Sequence, residues 1–383
     1  MNAVRPWVII GNPENRRVRM FQQALGASGQ QPAIVFSYGD LLTGCRDLEQ
    51  IPPDAIVRID SAGENFQVEK LMLKEGVHLA EQEGAPTLGH RRIDRLGFDR
   101  GLITNTRQWF LGYAAVLSRW QKQFECRPDL LHCNRPSEIV TMFDKPASHQ
   151  ICARASVPVP HRIRTSKHVD DLIAITESGI HPHVFVKPAH SSSASGVVAL
   201  RRRRFGVEAI TPIEIVQCQG ETRLYNSLKI HRYTAWADIK AMLEVILANH
   251  AHVEEWLPKA SLGRRVCDLR ILVIAGQPRH CVVRTSRSPV TNLHLGNRRG
   301  DLTAFLDKVA PTVWRSTMET CALTARLFPG SIQIGLDILF TPGFQEHFLL
   351  ETNAFGDLLP DVMHNGQDCY QSQIVATLAG DFR

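Results

Sequence analysis

The most informative stretch of the sequence is VFVKPAHSSSASGVV, residues 184–198. An apolar strand that ends in Lys187 and a second strand from Val197 flank a loop of small residues, which predicts a β-hairpin. Small side chains expose backbone N–H groups to phosphate oxygens, and a lysine at the base of the hairpin adds a cation. The hairpin therefore indicates a loop that closes over a phosphate group. The alternative is a flexible surface hairpin with a solvated lysine.

Two further predicted strands carry acidic residues. Asp337 lies on the apolar run 335–340, and Glu351 and Asn353 share one face of the run 348–353 after a Thr-Pro-Gly turn. Carboxylates in apolar strands are costly to bury unless they are paired or bind a metal. Two carboxylates and an amide oxygen suit Mg²⁺, which usually shares its coordination shell with substrate phosphates. A strand edge with solvated carboxylates is the alternative.

A third hairpin lies between these two features. Asp268 and Arg270 alternate on one face of its first strand, and Arg284 on the returning strand is placed to join them. Asn292 follows a few residues later. The arrangement predicts a charged cluster on one face of the hairpin, and an exposed ion pair of little energetic value is the alternative.

The N-terminal part alternates strands and helices. Apolar runs near 7–10, 33–36 and 55–59 are each followed by helical spacing, which predicts a parallel sheet with helices on its faces. Such sheets bind ligands at the carboxyl ends of their strands. The candidate substrate residues are therefore Asn12, Asn15, Arg58, Asp60 and Ser61, with Asn292 and Asp357 from later in the chain.

Other segments are less regular. Residues 84–101 are polar and rich in arginine, which predicts a long loop whose cations either line a site for an acidic substrate or are solvated. Residues 301–327 are predicted as one helix.

Composition narrows the class of protein. The chain has 383 residues, 44% hydrophobic content and a net charge of +6, as expected for a soluble globular enzyme of two or three domains. No apolar run approaches the roughly 18 residues that cross a bilayer, and no signal-peptide core is evident at the N-terminus. Nine scattered cysteines without a Cys-x-x-Cys pair argue against disulfides and a zinc ribbon. We therefore expect a reducing, cytoplasmic location.

Taken in order, these residues resemble the ATP-grasp superfamily, in particular its glutathione-synthetase and ribosomal-protein glutamate-ligase-like branch. The resemblance covers about residues 134–353 and implies an α/β chain, with an N-terminal α/β (pre-ATP-grasp-like) domain before a two-lobed α+β ATP-grasp region. We expect a substrate-side domain at 1–135, a first lobe with lid and adenine hinge at 136–258, and a second lobe with the magnesium site at 259–383.

The resemblance also implies roles for individual residues. Asp268 and Arg270 would be the catalytic Asp-x-Arg of the family, and Arg284 would be the catalytic arginine that steadies an acyl phosphate. Asp337, Glu351 and Asn353 would hold Mg²⁺. The residues implied to bind ATP are Lys145, Lys187, the lid residues Ser191, Ser192, Ser193, Ser195 and Gly196, and the hinge residues Glu254, Glu255, Trp256 and Leu257. The chain departs from the family pattern in its serine-rich lid and in the sequence AFGDLLP after Asn353, and residues 201–233 match no part of that pattern.

The function implied is an ATP- and Mg²⁺-dependent ligase that joins a small-molecule or peptide carboxylate to an amine through an acyl phosphate and releases ADP and phosphate. One alternative is a nucleotide-binding scaffold or regulator without turnover. Another is a nucleic-acid-binding protein that uses the four arginines at 201–204, although these lack interleaved aromatic residues. Association into a homo-oligomer stays open.

Overall fold

The structure, a computed structural model, describes residues 5–164, 168–192, 194–218 and 220–381. The strands are β1 (Trp7–Ile10), β2 (Ile34–Phe36), β3 (Ile56–Ile59), β4 (Leu102–Ile103), β5 (Leu131–His132), β6 (His183–Pro188), β7 (Val198–Arg202), β8 (Val207–Cys218), β9 (Glu221–Tyr233), β10 (Ala251–Glu255), β11 (Ser261–Leu262), β12 (Arg265–Ile274), β13 (Gln277–Ser286), β14 (Arg298–Arg299), β15 (Gln333–Phe340) and β16 (His347–Asn353). The α-helices are α1 (Arg16–Ala27), α2 (Tyr38–Thr43), α3 (Phe66–Glu75), α4 (Val77–Gln82), α5 (His90–Asp94), α6 (Thr106–Glu125), α7 (Pro136–Phe143), α8 (Lys145–Arg154), α9 (Val169–Ser178), α10 (Trp236–Ala248), α11 (Leu302–Leu306), α12 (Pro311–Arg326) and α13 (Cys369–Ala379).

The first sheet is parallel, in the order β2-β1-β3-β5, and confirms the sheet predicted from the alternating pattern. β1 and β3 are buried along their whole length, as expected for apolar strands covered on both faces. Helix α1 begins directly after the β1 turn, because the Asn15 side chain caps it by accepting the N–H of Arg17 at 2.9 Å. The carboxyl ends of β1 and β3 therefore place residues 11–15 and 60–64 at one edge.

Two predictions of secondary structure were wrong. The expected loop at 84–101 contains α5, which is held by the buried Ile93 packed against Leu88. A single apolar contact in a basic helix gives no periodic signal, so the sequence pattern missed it. The single helix expected at 301–327 is divided into α11 and α12 at Pro311, since the residue before a proline avoids the helical region.

The second sheet has the order β10-β6-β7-β8-β9-β4 and is antiparallel. Strands β6 and β7 confirm the predicted hairpin, with Val186 opposite Val198. Residues 207–233, which no sequence pattern explained, form the long β8–β9 hairpin, and β4 from the N-terminal part pairs with β9. Helices α9 and α10 pack on one face of this sheet.

The third sheet has the order β14-β13-β12-β15-β16, with β11 paired to β12. Its registers place Asp268 opposite Arg284, Arg270 opposite Asp337, and Asp337 opposite Glu351. The apolar residues of this sheet share one core with the first sheet, for example Leu269 and Ile338 with Ile10 and Val57. The charged row on the third sheet is thus fixed relative to the edge of the first. Among the described residues, no helix is long and apolar enough to cross a bilayer.

Candidate active site

A cleft of about 720 Å³, partly open to solvent, lies between the second and third sheets. We call it the first cleft. Apolar side chains form opposite parts of its wall, namely Phe185, Val197, Leu257, Val290, Leu339 and Leu350. Charged side chains gather along it, namely Lys145, Lys187, Glu254, Glu255, Lys259, Asp268, Arg284, Asp337 and Glu351. A slot with apolar walls and several cations has the chemistry to hold a flat base together with phosphates.

Lys187 is held in the wall of the first cleft by Glu254. The two residues lie on the paired strands β6 and β10, and the Lys187 ammonium contacts the Glu254 carboxylate. Nε2 of His252 lies 3.0 Å from the same carboxylate. Burial by itself would raise the pKa of Glu254, but Lys187 and His252 lower that pKa to about 2. Glu254 is therefore ionised across the physiological range and fixes the position of the lysine.

A second buried carboxylate organises two cations. Asp268 accepts from Nε of Arg284 at 2.8 Å and from Nζ of Lys259 at 2.9 Å, and it also contacts the Thr291 hydroxyl. Burial lowers the pKa of Lys259, and Asp268 opposes that effect. Sequence reasoning missed Lys259 and Thr291. The signal for the lysine was its position two residues after the predicted hinge residue Leu257.

The predicted magnesium ligands lie side by side on β15 and β16. Asp337 accepts from Arg270, by contacts to Nε and, at 3.2 Å, to Nη2, and from Nη1 of Arg284 at 3.1 Å. Burial would raise the pKa of Asp337, but these two arginines lower it. Glu351 is 3.3 Å from the Lys145 ammonium through one oxygen, and the Asn353 amide donates to the Gly335 carbonyl at 3.4 Å.

This donor set fits a hard cation. Within the described residues, the other carboxylate oxygen of Glu351 and the amide oxygen of Asn353 accept no bond, so both are available to a metal. The Asp337 oxygens are shared with Arg270 and Arg284. Oxygen donors from two carboxylates and an amide are what Mg²⁺ binds, usually together with substrate phosphates.

Lys145 connects the lid to this row of acidic residues. It is the first residue of α8, which Asp144 caps through the N–H of Ala147 at 3.0 Å. Its ammonium donates to the backbone carbonyl of Ser191 at the start of the lid, and it also contacts Glu351. Lys145 therefore joins the loop and the candidate metal ligands in one contact network.

The predicted lid and hinge residues differ in their placement. Ser191, Ser192 and Ser195 line a cleft, and Ser193 lies outside the described residues. Gly196 has a φ of +75°, and a Cβ there would lie 2.6 Å from Cγ of Pro188, so the turn requires glycine. In the hinge, Glu254, Glu255 and Leu257 line the first cleft, whereas the ring of Trp256 packs against Phe185, with 5.4 Å between the ring centroids.

A second cleft of about 2320 Å³, also partly open, adjoins the first. The two clefts share five lining residues, which we call the junction: Lys145, Ser191, Arg284, Asn292 and Glu351. Arg270 and Asn353 also line the second cleft, together with five aromatic side chains, namely Phe66, Phe98, Trp109, Phe143 and Phe355. A group transferred from a ligand in one cleft to a ligand in the other would pass this charged junction.

Three candidate substrate residues reach the second cleft, namely Asn15, Ser61 and Asn292. The other four do not line either cleft. The Asn12 amide donates to the carbonyls of Ala62 and Gly63 at 3.0 and 3.1 Å. Arg58, Asp60 and Asp357 are buried together, with Nη2 of Arg58 2.6 Å from Asp357. Arg58 and Asp357 thus pair with each other inside the protein, which sequence spacing does not reveal. The arginines at 91, 92 and 95 also lie outside the cleft lining.

Comparison with known proteins supports the fold. No protein-family model matches the chain, and neither does the sequence of any curated protein. The structure is similar to the ATP-grasp ligase PsnB complexed with minimal precursor, Mg and ADP (TM-score 0.52, 16% identity, 98% of each chain covered).

Two other solved structures are similar to the same extent. D-cycloserine synthetase DcsG has a TM-score of 0.53 at 12% identity, over 97% of this chain and 99% of that chain. The macrocyclase MdnC from Microcystis aeruginosa MRC, bound with precursor peptide MdnA, has a TM-score of 0.50 at 14% identity over 97% and 99%. Identities this low show the fold alone. The chain thus has the ATP-grasp fold, with an N-terminal α/β part followed by two antiparallel sheets that enclose the first cleft.

Proposed function

We propose that this protein is an ATP- and Mg²⁺-dependent ligase of the glutathione-synthetase and ribosomal-protein glutamate-ligase-like branch, which joins a carboxylate to an amine through an acyl phosphate. The observation that carries the proposal is the junction, where Lys145, Arg284 and Glu351 line both clefts. Three ATP-grasp structures of similar fold, one of them in complex with Mg and ADP, support it.

ATP would occupy the first cleft. Its base would lie between the apolar walls near Phe185 and Leu339, and Lys187 and Lys259 would contact its phosphates. Each lysine is held by its own buried carboxylate, Lys187 by Glu254 and Lys259 by Asp268. Both lysines are therefore already in position when the phosphates bind. The two buried carboxylates line a site for an anion because each of them positions a lysine.

Mg²⁺ would be held by Asp337, Glu351 and Asn353, and when bound it supplies positive charge to the oxygens of the transferred phosphoryl group. The chain contributes the remaining charge. Arg284 is fixed by Asp268 and Asp337, which raise the pKa of its guanidinium further against the effect of burial, so the cation stays charged at the junction. The serine-rich lid, tethered to Lys145 through Ser191, would exclude water from the acyl phosphate.

The substrates would bind in the second cleft. Its five aromatic side chains suit the apolar side chains of a substrate. MdnC, which has a similar fold, is bound with a precursor peptide. We therefore favour a peptide as one of the two substrates.

The first test measures products and metal dependence together. Wild-type protein with pools of amino acids and peptides should release ADP and phosphate only when ATP and Mg²⁺ are present. Glu351→Ala should abolish release, whereas Glu346→Ala, at an exposed position at the end of the β15–β16 connection, should match wild type. Release of AMP and pyrophosphate would refute the acyl-phosphate mechanism.

The alternatives predict different results. A scaffold would show a higher melting temperature with ATP and Mg²⁺ but no turnover with any pool. A nucleic-acid-binding protein would show salt-sensitive binding to DNA or RNA and no effect of ATP. The arginine run at 201–204 supports the second alternative less than its charge suggests, because Arg201 is paired with the Glu208 carboxylate.

A further inference from the structure

Arg17 is a cation in the second cleft that the proposed phosphate chemistry does not use. It is the second residue of α1, which starts at the carboxyl edge of the first sheet, and its side chain lines the second cleft with 17% of its surface exposed. It does not line the first cleft and is not part of the junction. A group that binds Arg17 is therefore separate from the phosphoryl group transferred at the junction.

The guanidinium of Arg17 is held on one side only. Nη1 donates to Oδ1 of Asp357 at 2.6 Å, and among the described residues its other N–H groups make no bond. These groups are not buried, in contrast to Nε of Arg58, which is enclosed without a partner. Asp357 thus fixes the orientation of Arg17 and leaves its remaining donors facing the cleft.

Asn15 adds donors at the same place. It is only 5% exposed, and its Oδ1 accepts the backbone N–H of Arg17 to cap α1. Because a cap requires the amide oxygen to face the helix, the NH₂ group of Asn15 must point the other way, and Asn15 lines the second cleft. No bond from this NH₂ group is formed within the described part of the chain. The first turn of α1 also carries no acidic residue, so the helix dipole adds positive potential.

We propose that Arg17 and Asn15 bind a carboxylate of the substrate that is recognised and left unreacted. A guanidinium with free parallel N–H groups matches a planar carboxylate in a bidentate contact, and the amide NH₂ group supplies a further donor. One substrate is then an amino acid or a peptide whose own carboxylate anchors it while another group reacts at the junction. This inference rests on the proposed ligase function.

The kinetic test compares carboxylates with their carboxamides. ADP release is measured with free amino acids and with peptides, each supplied with a free carboxyl terminus or as the terminal amide, and the two sets distinguish the two sources of the carboxylate. Arg17→Lys keeps the charge beside Asp357 but loses the planar fork, and Asn15→Asp keeps the helix cap but replaces donors with a negative charge. Arg19→Lys, exposed on the same helix, is the control.

Both variants should raise KM for the carboxylate substrate by about 10- to 100-fold and leave KM for ATP unchanged, as expected for a lost charged hydrogen bond of about 1.5–3 kcal/mol. Their KM for the carboxamide should equal that of wild type. A wild-type enzyme that uses the amide as well as the acid, or an Arg17→Lys variant with normal KM, would overturn the inference. The Glu351→Ala result tests the ligase function separately.

A labelling experiment tests the same site without turnover. Phenylglyoxal, which modifies accessible arginines, should label Arg17 and spare the buried Arg58. The carboxylate pool should slow labelling of Arg17, and the carboxamide pool should not. Failure of Arg17 to react, or equal rates with both pools, would also overturn the inference.

Discussion

Replacing Glu254 with glutamine tests the electrostatic design of the first cleft. The substitution keeps the size of the side chain and one acceptor oxygen but removes the negative charge that holds Lys187. Glu254 is only 1% exposed, so solvent does not compensate for the loss. We expect Glu254→Gln to lose all of the folding stability that the protein gains because this carboxyl ionises more readily in the folded state than in the unfolded state.

The magnitude follows from the pKa of Glu254. That pKa is about 2 in the folded protein against an ordinary value of 4.5. A tenfold change in an equilibrium constant is worth about 1.4 kcal/mol, so the difference corresponds to about 3 kcal/mol of folding stability at pH 7. At about 2.1 cal/mol per kelvin per residue, a chain of 383 residues unfolds with an entropy of about 0.8 kcal/mol per kelvin, so Glu254→Gln should lower the melting temperature by about 4 °C.

The stabilisation by Glu254 should decrease as the pH falls. Because the pKa of Glu254 is lowered on folding, its contribution is fully present above pH 4.5 and is lost as the pH falls towards 2. The stability difference between wild type and Glu254→Gln should therefore narrow from about 3 kcal/mol at pH 7 to about 2 kcal/mol at pH 3.5. Denaturant unfolding of both proteins at the two pH values, followed by fluorescence, measures this difference.

Glu255→Gln is the matched control, since Glu255 is the next residue on the same strand and forms no ion pair within the described residues. It should leave stability within about 0.5 kcal/mol of wild type. A Glu254→Gln variant as stable as wild type at pH 7, or a stability difference that stays constant down to pH 3.5, would refute the stabilising role of the ionised Glu254 carboxylate.

Two further substitutions test the packing behind the site. Gly335→Ala should lower the free energy of unfolding by about 1–3 kcal/mol and reduce ATP turnover, because its Cβ would lie 2.5 Å from Cα of Gly356. Gly26→Ala, on an open helix surface, should instead raise the free energy of unfolding by about 0.5–1 kcal/mol. Equal melting temperatures for the two variants would contradict this prediction. Asp357→Asn leaves the buried Arg58 without its 2.6 Å carboxylate partner and should cost about 3–5 kcal/mol in urea unfolding, so an unchanged free energy of unfolding would refute the pairing.

The sequence was sufficient for features that depend on local order. Period-two alternation placed Glu351 and Asn353 on one strand face, and the loop of small residues after Lys187 predicted the β6–β7 hairpin. The alternation of strands and helices predicted the parallel first sheet. The β8–β9 part of residues 201–233 was not predicted because burial does not alternate along either strand: β8 is buried continuously over 207–213, and β9 is mostly half-buried.

Only the tertiary structure decided which charged residues face a ligand and which face each other. Arg58 and Asp357, separated by 299 positions, form a buried pair, so two candidate substrate residues lie inside the protein. Lys259 and Arg17, which no motif indicated, line the clefts instead. A charged side chain must find a partner when it is buried, and that partner is brought close by packing between sheets rather than by spacing along the chain. The sequence by itself therefore determined the fold and the order of the candidate site residues, and tertiary packing determined their partners.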